Sequence, residues 1–140
     1  MKTVILAAAA ALALAAPALA SGDATKGERE FNKCKSCHEV VAGDGTVIVR
    51  GGKAGPNLYG VIGRTAGSLE GFNFRPSIVA AGEKGLVWDA ESFDAYSKDP
   101  TAFLKSYLGD NSASSSMSFK LRRGGDDIAA YLEQVSSASQ

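Results

Sequence analysis

Cys34-Lys35-Ser36-Cys37-His38 constrains this chain more than any other stretch. Two thiols three positions apart, with a histidine directly after the second, form the C-x-x-C-H pattern of a covalent haem attachment site. Each thiol can add to one vinyl group of a haem, and the histidine then meets the iron from the same side. A bare C-x-x-C also fits a redox dithiol, half of a zinc site or a disulfide. The inventory argues against all three, because the chain has no second cysteine pair, no second histidine and no βαβ pattern around the motif. A chance match is the main competitor.

Ahead of this motif, Met1-Lys2-Thr3 precedes an apolar run from Val4 to Ala16, then Pro17 and the small-residue site Ala18-Leu19-Ala20. A positive start, a short apolar stretch and an A-x-A site predict a secretory signal over residues 1–20, removed on export. A membrane anchor fits less well, since the run is shorter than the ~20 apolar residues of a bilayer span and alanine dominates it. The expected mature chain, residues 21–140, is one domain with a small core to which a haem would add apolar bulk. A soluble exported protein follows, and a bacterial periplasm suits haem attachment after export.

Lys2 is the one charge of the first 20 residues, so 14 of the 15 basic side chains remain against 15 acidic ones. Nothing in that near-neutral balance argues for nucleic acid. The order of the charges says more. Lys33, Lys35, Arg50, Lys53 and Arg64 dominate one segment, and Lys105, Lys120, Arg122 and Arg123 another. Between them Glu83, Asp89, Glu91, Asp94 and Asp99 reverse the sign. If the basic segments flank a haem edge, they form a rim that steers the molecule to an acidic partner. An ordinary solvated surface is the alternative for any single lysine.

Local signals predict short helices joined by glycine-rich loops. Asp23 caps a first helix to about Lys33, with Gly27, Phe31 and Cys34 on one face. Gly43-Asp44-Gly45 turns the chain before a β-branched run, Thr46 to Val49. Pro76 opens a helix expected to stop before Gly82, Asp89 caps another to Lys98, and Asp99-Pro100 starts one that ends at Leu108 before Gly109. After Gly124-Gly125, Ile128, Tyr131, Leu132 and Val135 form an apolar stripe that small Gly27 would let cross the first helix closely. The tail from Ser136 is expected to fray.

With the signal removed, Met117 is the only methionine and His38 the only histidine. A lone methionine is ordinarily core filling. Met117, however, lies in the polar stretch Ser112 to Ser118, with no helical stripe to join. Imidazole plus thioether is the pair that raises the potential and suits electron transfer, so Met117 is the expected second iron ligand.

These features, with Gly55-Pro56-Asn57-Leu58-Tyr59-Gly60, Gly63-Arg64, Trp88, Tyr96, Pro100 and Ile128-Ala129-Ala130-Tyr131-Leu132, resemble the class I cytochromes c. The likeness is to the longer cytochrome c2 and c550 type of alphaproteobacteria, over nearly the whole mature sequence. It implies an all-α fold of short helices around one covalent haem c, with the terminal helices crossing. It implies a carbonyl of Pro56 that orients His38, and Arg64 and Trp88 donating to the haem propionates. Tyr96 would pack near Met117, where its hydroxyl could polarise the sulfur; plain core packing is the alternative for Trp88 and Tyr96.

Three positions depart from the pattern. Phe74 stands where many relatives carry a propionate-binding tyrosine, Ser116 where they often carry lysine, and the segment 105–116 is longer and richer in serine than in short mitochondrial-type chains. The resemblance implies a monomeric, non-enzymatic one-electron carrier. Its electrons would come from a cytochrome bc1 complex and go to a photosynthetic reaction centre or terminal oxidase. Two alternatives are a dedicated acceptor for a periplasmic dehydrogenase, and a small-ligand-binding or peroxidatic haem protein in which a mobile loop releases Met117.

Overall fold

The computed structural model describes residues 22–138; the expected signal segment lies outside the described residues. Helix α1, Ala24–Glu30, begins where the Asp23 carboxylate accepts the N–H groups of Thr25 and Lys26 at 2.9 and 3.1 Å. Those are two of the donors that a helix start leaves without a partner. The helix expected to reach Lys33 instead tightens into one 3-10 turn, Phe31–Lys33, which hands the chain to Cys34.

A short hairpin follows, β1 Val40–Val41 against β2 Val47–Val49, antiparallel with Val40 opposite Val49 and Val41 opposite Val47. A long loop then runs to α2, Pro76–Glu83. This helix passes the expected stop at Gly82. The chain turns at Gly85, whose φ of 106° is open to glycine, while Leu86 N–H reaches back to the Ala81 carbonyl and closes the helix end.

Helix α3, Ala90–Lys98, is capped reciprocally: Ser92 N–H donates to the Asp89 carboxylate, and Asp89 N–H to the Ser92 hydroxyl. Helix α4, Pro100–Leu108, has Asp99 as its cap and ends on left-handed Gly109, both as the residue types predict.

Helix α5, Gly125–Ala138, crosses α1 and organises the core. A Cβ on Gly27 would stand 1.9 Å from the Asp127 carbonyl oxygen, so the approach requires glycine. Around the crossing Phe31, Ile128 and Leu132 are almost wholly buried, and Phe31 leans on the Tyr131 ring at 5.9 Å. Burying each such side chain stabilises by roughly 1.5–3 kcal/mol. Of the tail expected to fray, Ser136 to Gln140, the last two residues lie outside the described residues, and Ser136 is held within α5. Its hydroxyl donates to Leu132 O and accepts Gly60 N–H at 2.8 Å, which stitches the end of α5 to the 58–60 loop. No helix among the described residues is long and apolar enough to cross a membrane.

Candidate haem site

All eight residues singled out from the sequence line one cavity: Cys34, Cys37, His38, Pro56, Arg64, Trp88, Tyr96 and Met117. The motif itself is a tight helical turn. The Cys34 carbonyl accepts N–H groups from both Cys37 and His38, at 3.1 and 2.9 Å, which turns the two sulfurs and the imidazole to one side. Cys34 is half-buried, and desolvation pushes its thiol up to about 11. Cys37 is exposed, and neither sulfur is in a disulfide. Two free thiols in the wall of one cavity fit a group that is gripped at its edge and enclosed by the fold.

The wall behind His38 explains the Gly55 to Tyr59 motif residue by residue. A Cβ on Gly55 would sit 2.2 Å from His38 Cε1 and 2.6 Å from Nδ1, so the backbone can lie against the imidazole only without a side chain. Pro56 then offers its carbonyl to His38 Nδ1 at 2.8 Å. That bond fixes the ring and leaves Nε2 as the free nitrogen. Asn57 secures the segment to the hairpin: its Nδ2 donates to Val41 O, and its Oδ1 accepts Val41 N–H and Tyr59 N–H. Burial lowers the pKa of His38, partly offset by the Pro56 carbonyl, so the ring is held neutral. A neutral imidazole with an oriented lone pair is the form that binds iron.

Met117 enters from the 109–124 loop, which is tied down along its length. Ser114 N–H donates to the Ser77 hydroxyl, Ser115 N–H to Thr101 Oγ1, and Leu121 N–H to the Ser97 carbonyl. The Lys120 ammonium meets the Asp99 carboxylate at the start of α4. These bonds to α2, α3 and α4 argue against the alternative in which a mobile Ser-rich loop releases Met117. Tyr96 lies in the same cavity, but its hydroxyl shares a hydrogen bond of 2.8 Å with Ser115 Oγ. It thus meets the Met117 loop through Ser115, in the cavity that Met117 also lines.

Arg64 is half-buried and Trp88 is buried. The Arg64 guanidinium donates to the carbonyls of Tyr59 and Asn57 at 3.2 and 3.0 Å. No carboxylate lies within salt-bridge distance of it among the described residues, and burial lowers its pKa. A half-buried cation with neutral partners is suited to an anionic group such as a propionate. Arg64 therefore belongs to the cavity wall and not to the exposed basic rim in which its sequence position also placed it. Trp88 is 7% exposed and stacks edge-on against Tyr96 at 5.1 Å. Phe74, which replaces the expected tyrosine, packs edge-on to Phe72 at 4.7 Å and lines the cavity as a purely apolar wall.

Sequence reasoning missed three contributors. Ser115 and Thr101 lay hidden in polar runs, where the residue type gives no hint of a partner. The fit of Gly55 against the imidazole was also not foreseen, although its place just before the orienting proline was the available signal. Of the basic rim, Lys33, Lys35, Arg50, Lys53, Lys105, Lys120, Arg122 and Arg123 are all exposed, and of these Lys33 and Lys120 are paired with Glu30 and Asp99.

The cavity fits a flat tetrapyrrole on its own evidence: paired thiols, an oriented imidazole, a thioether in the same walls, and an uncompensated guanidinium. No family model matches the chain. Individual proteins do. Cytochrome c2 of Rhodobacter capsulatus is 60% identical over 126 residues, covering 90% of this chain and 91% of that one. Cytochrome c-550 of Paracoccus versutus is 50% identical over 139 residues, covering 97% and 90%. The solved structure of the Rhodobacter capsulatus protein superposes with a TM-score of 0.79 at 58% identity, over 81% of this chain and 98% of that one. The terminal helix crossing and the helix set are those of class I cytochromes c. The chain thus belongs to the cytochrome c2 and c-550 family, electron-transfer proteins, not enzymes, that carry one covalently bound haem c.

Proposed function

We propose that the protein is a soluble periplasmic one-electron carrier, exported by residues 1–20, with haem c joined to Cys34 and Cys37 and its iron held by His38 and Met117. It would shuttle electrons from a cytochrome bc1 complex to a photosynthetic reaction centre or terminal oxidase, as a monomer that docks transiently. The observation that carries this reading is the 2.8 Å contact of His38 Nδ1 with the Pro56 carbonyl, in a cavity that Met117 also lines.

The haem supplies a reversible ferrous/ferric couple, and the chain's residues prepare its surroundings. Pro56 holds the His38 N–H, so the ring presents its other nitrogen without having to reorient at each turnover. Burial keeps that imidazole neutral. Both proposed ligands are uncharged, which favours the ferrous state and a high potential. Arg64 and Trp88 supply donors for the propionates. The hydrogen bonds of the 109–124 loop would hold Met117 in place at the haem, which would keep the reorganisation small. Lys35, Lys53, Arg122 and Arg123 leave positive charge on the surface for a weak, steered encounter.

A redox-titrated visible spectrum of the exported protein tests the proposal. The expected result is a covalently held low-spin haem, a methionine-to-ferric-iron charge-transfer band and a single reversible one-electron step. A native spectrum without that band overturns Met117 ligation.

A further inference from the structure

A haem carries two propionate carboxylates, so the site that holds it must accommodate two negative charges. Among the described residues, the cavity wall contains two arginines, Arg64 and Arg75, and no aspartate or glutamate. Two N–H groups of half-buried Arg64 are already taken up by the Tyr59 and Asn57 carbonyls. Arg75 is exposed, and its guanidinium has neither an ion pair nor a hydrogen bond among the described residues.

The backbone explains why Arg75 is available. Pro76 opens α2 and holds the residue before it in the extended region, where Arg75 has φ −74° and ψ 155°. Arg75 occupies the cap position of α2 without making a capping bond, since a guanidinium has five donors and no acceptor to offer the helix N–H groups. Its neighbour Phe74 lines the same cavity with a ring that has no polar atom and packs on Phe72 at 4.7 Å. On this stretch of wall, therefore, a carboxylate finds a donor at residue 75 and none at residue 74. We propose that Arg75 is a haem-binding residue, its guanidinium pairing with one propionate while Arg64 serves the other. The inference rests on the covalent haem of the reading above. A planar fork of donors matches a carboxylate at two points, and its full positive charge also offsets the carboxylate's field at the iron, which a neutral donor does not. That offset favours the ferrous state. Because Arg75 is exposed, the pair sets the charge state of the propionate more than it adds to stability.

The propionates can be read directly in haem-loaded protein, from the pH dependence of their methylene proton resonances. An opposite charge within about 4–6 Å holds a carboxylate in its ionised form. In Arg75→Gln the proton affinity of one propionate should therefore rise about tenfold, the low end of that effect because the pair is exposed, and the reduction potential should fall. Arg29→Gln removes an exposed charge from α1 that is not part of the cavity wall, and it should leave both propionates within about twofold of the parent. Propionates that titrate in Arg75→Gln as they do in the parent overturn the role of Arg75 alone. A rise that Arg29→Gln reproduces does the same, since it would mark a general field and not a pair. A parent without covalently held haem overturns the reading on which the inference stands.

Discussion

His38 Nδ1 lies 2.8 Å from the Pro56 carbonyl oxygen, and the residue that makes this approach possible is Gly55, whose missing side chain would occupy the imidazole's own volume. Gly55→Ala should therefore displace the ring or the strap. Overpacking of this kind costs roughly 1–3 kcal/mol. The expected outcome is a lower denaturation midpoint together with a changed reduction potential, because the His38 to Pro56 bond is strained along with the packing. Denaturant titration and potentiometry on one preparation check it, and a parent-like potential would separate the strap from the tuning of the iron.

The same logic operates at the crossing of α1 and α5. Gly27 leaves no room for a Cβ, which would fall 1.9 Å from the Asp127 carbonyl oxygen and 2.9 Å from Tyr131 Cβ. Both obstacles belong to the helix crossing, and one of them is backbone, so the helices must separate. Gly27→Ala should destabilise the haem-loaded protein by about 3 kcal/mol or more, and the bulkier Gly27→Val should cost more still. Urea unfolding monitored by circular dichroism measures it; a loss below about 1 kcal/mol would mean that the crossing relaxes freely.

Much of this was legible beforehand where a residue type has one strong local use. Asp23, Asp89 and Asp99 cap the helices they were expected to cap, and Gly109 ends α4 in the left-handed conformation. All eight candidate site residues converge on one cavity, because the C-x-x-C-H spacing and a lone methionine leave little choice of chemistry. What escaped was decided by neighbours far along the chain. Gly82 reads as a helix stop, yet it stays inside α2, where a Cβ would stand 2.0 Å from the Ala66 carbonyl oxygen, and Gly85 is the left-handed residue that closes the helix. Ser136 reads as a fraying tail, yet its hydroxyl accepts an N–H from Gly60, 76 residues earlier. Ser115 stands beside the Tyr96 hydroxyl, a partner 19 residues away that no residue pattern marks. Polar side chains carry no periodicity that marks their partners, so long-range hydrogen bonds are the last thing a sequence discloses.

The capping aspartates also set the acid response. Asp89 lies below the ordinary carboxylate value, chiefly because the Ser92 N–H bonds its charged form, and Asp99 is lowered first by the Lys120 ammonium. A carboxyl depressed in the folded state stabilises above its unfolded pKa of about 3.9 and loses that contribution as pH falls through the folded value. Stability should therefore be flat from neutral pH to about 5 as far as these groups are concerned, then decline towards pH 2. Asp89→Asn keeps a capping oxygen but cannot titrate. It should match the parent closely at pH 7 and show a shallower acid decline, read as urea midpoints across the series. An unchanged acid slope would assign the decline to other carboxyls.

Docking supplies the last test. Lys35 and Lys53 are exposed, close in the chain to the two half-site segments that enclose His38, and neither is engaged in a salt bridge among the described residues. Exposed charges of this kind contribute little to folding but act on encounter rates through a field that salt screens over about 8 Å at physiological ionic strength. Second-order electron transfer to an acidic membrane partner should slow as ionic strength rises. Lys35→Glu should slow it further at low salt and flatten the salt dependence, with the reduction potential unchanged, because the side chain is exposed. Stopped-flow kinetics across a salt series measures both slopes. Parallel slopes for parent and variant would place the docking face elsewhere, with Arg122 and Arg123 as the next pair to reverse, since both are exposed on the loop that carries Met117.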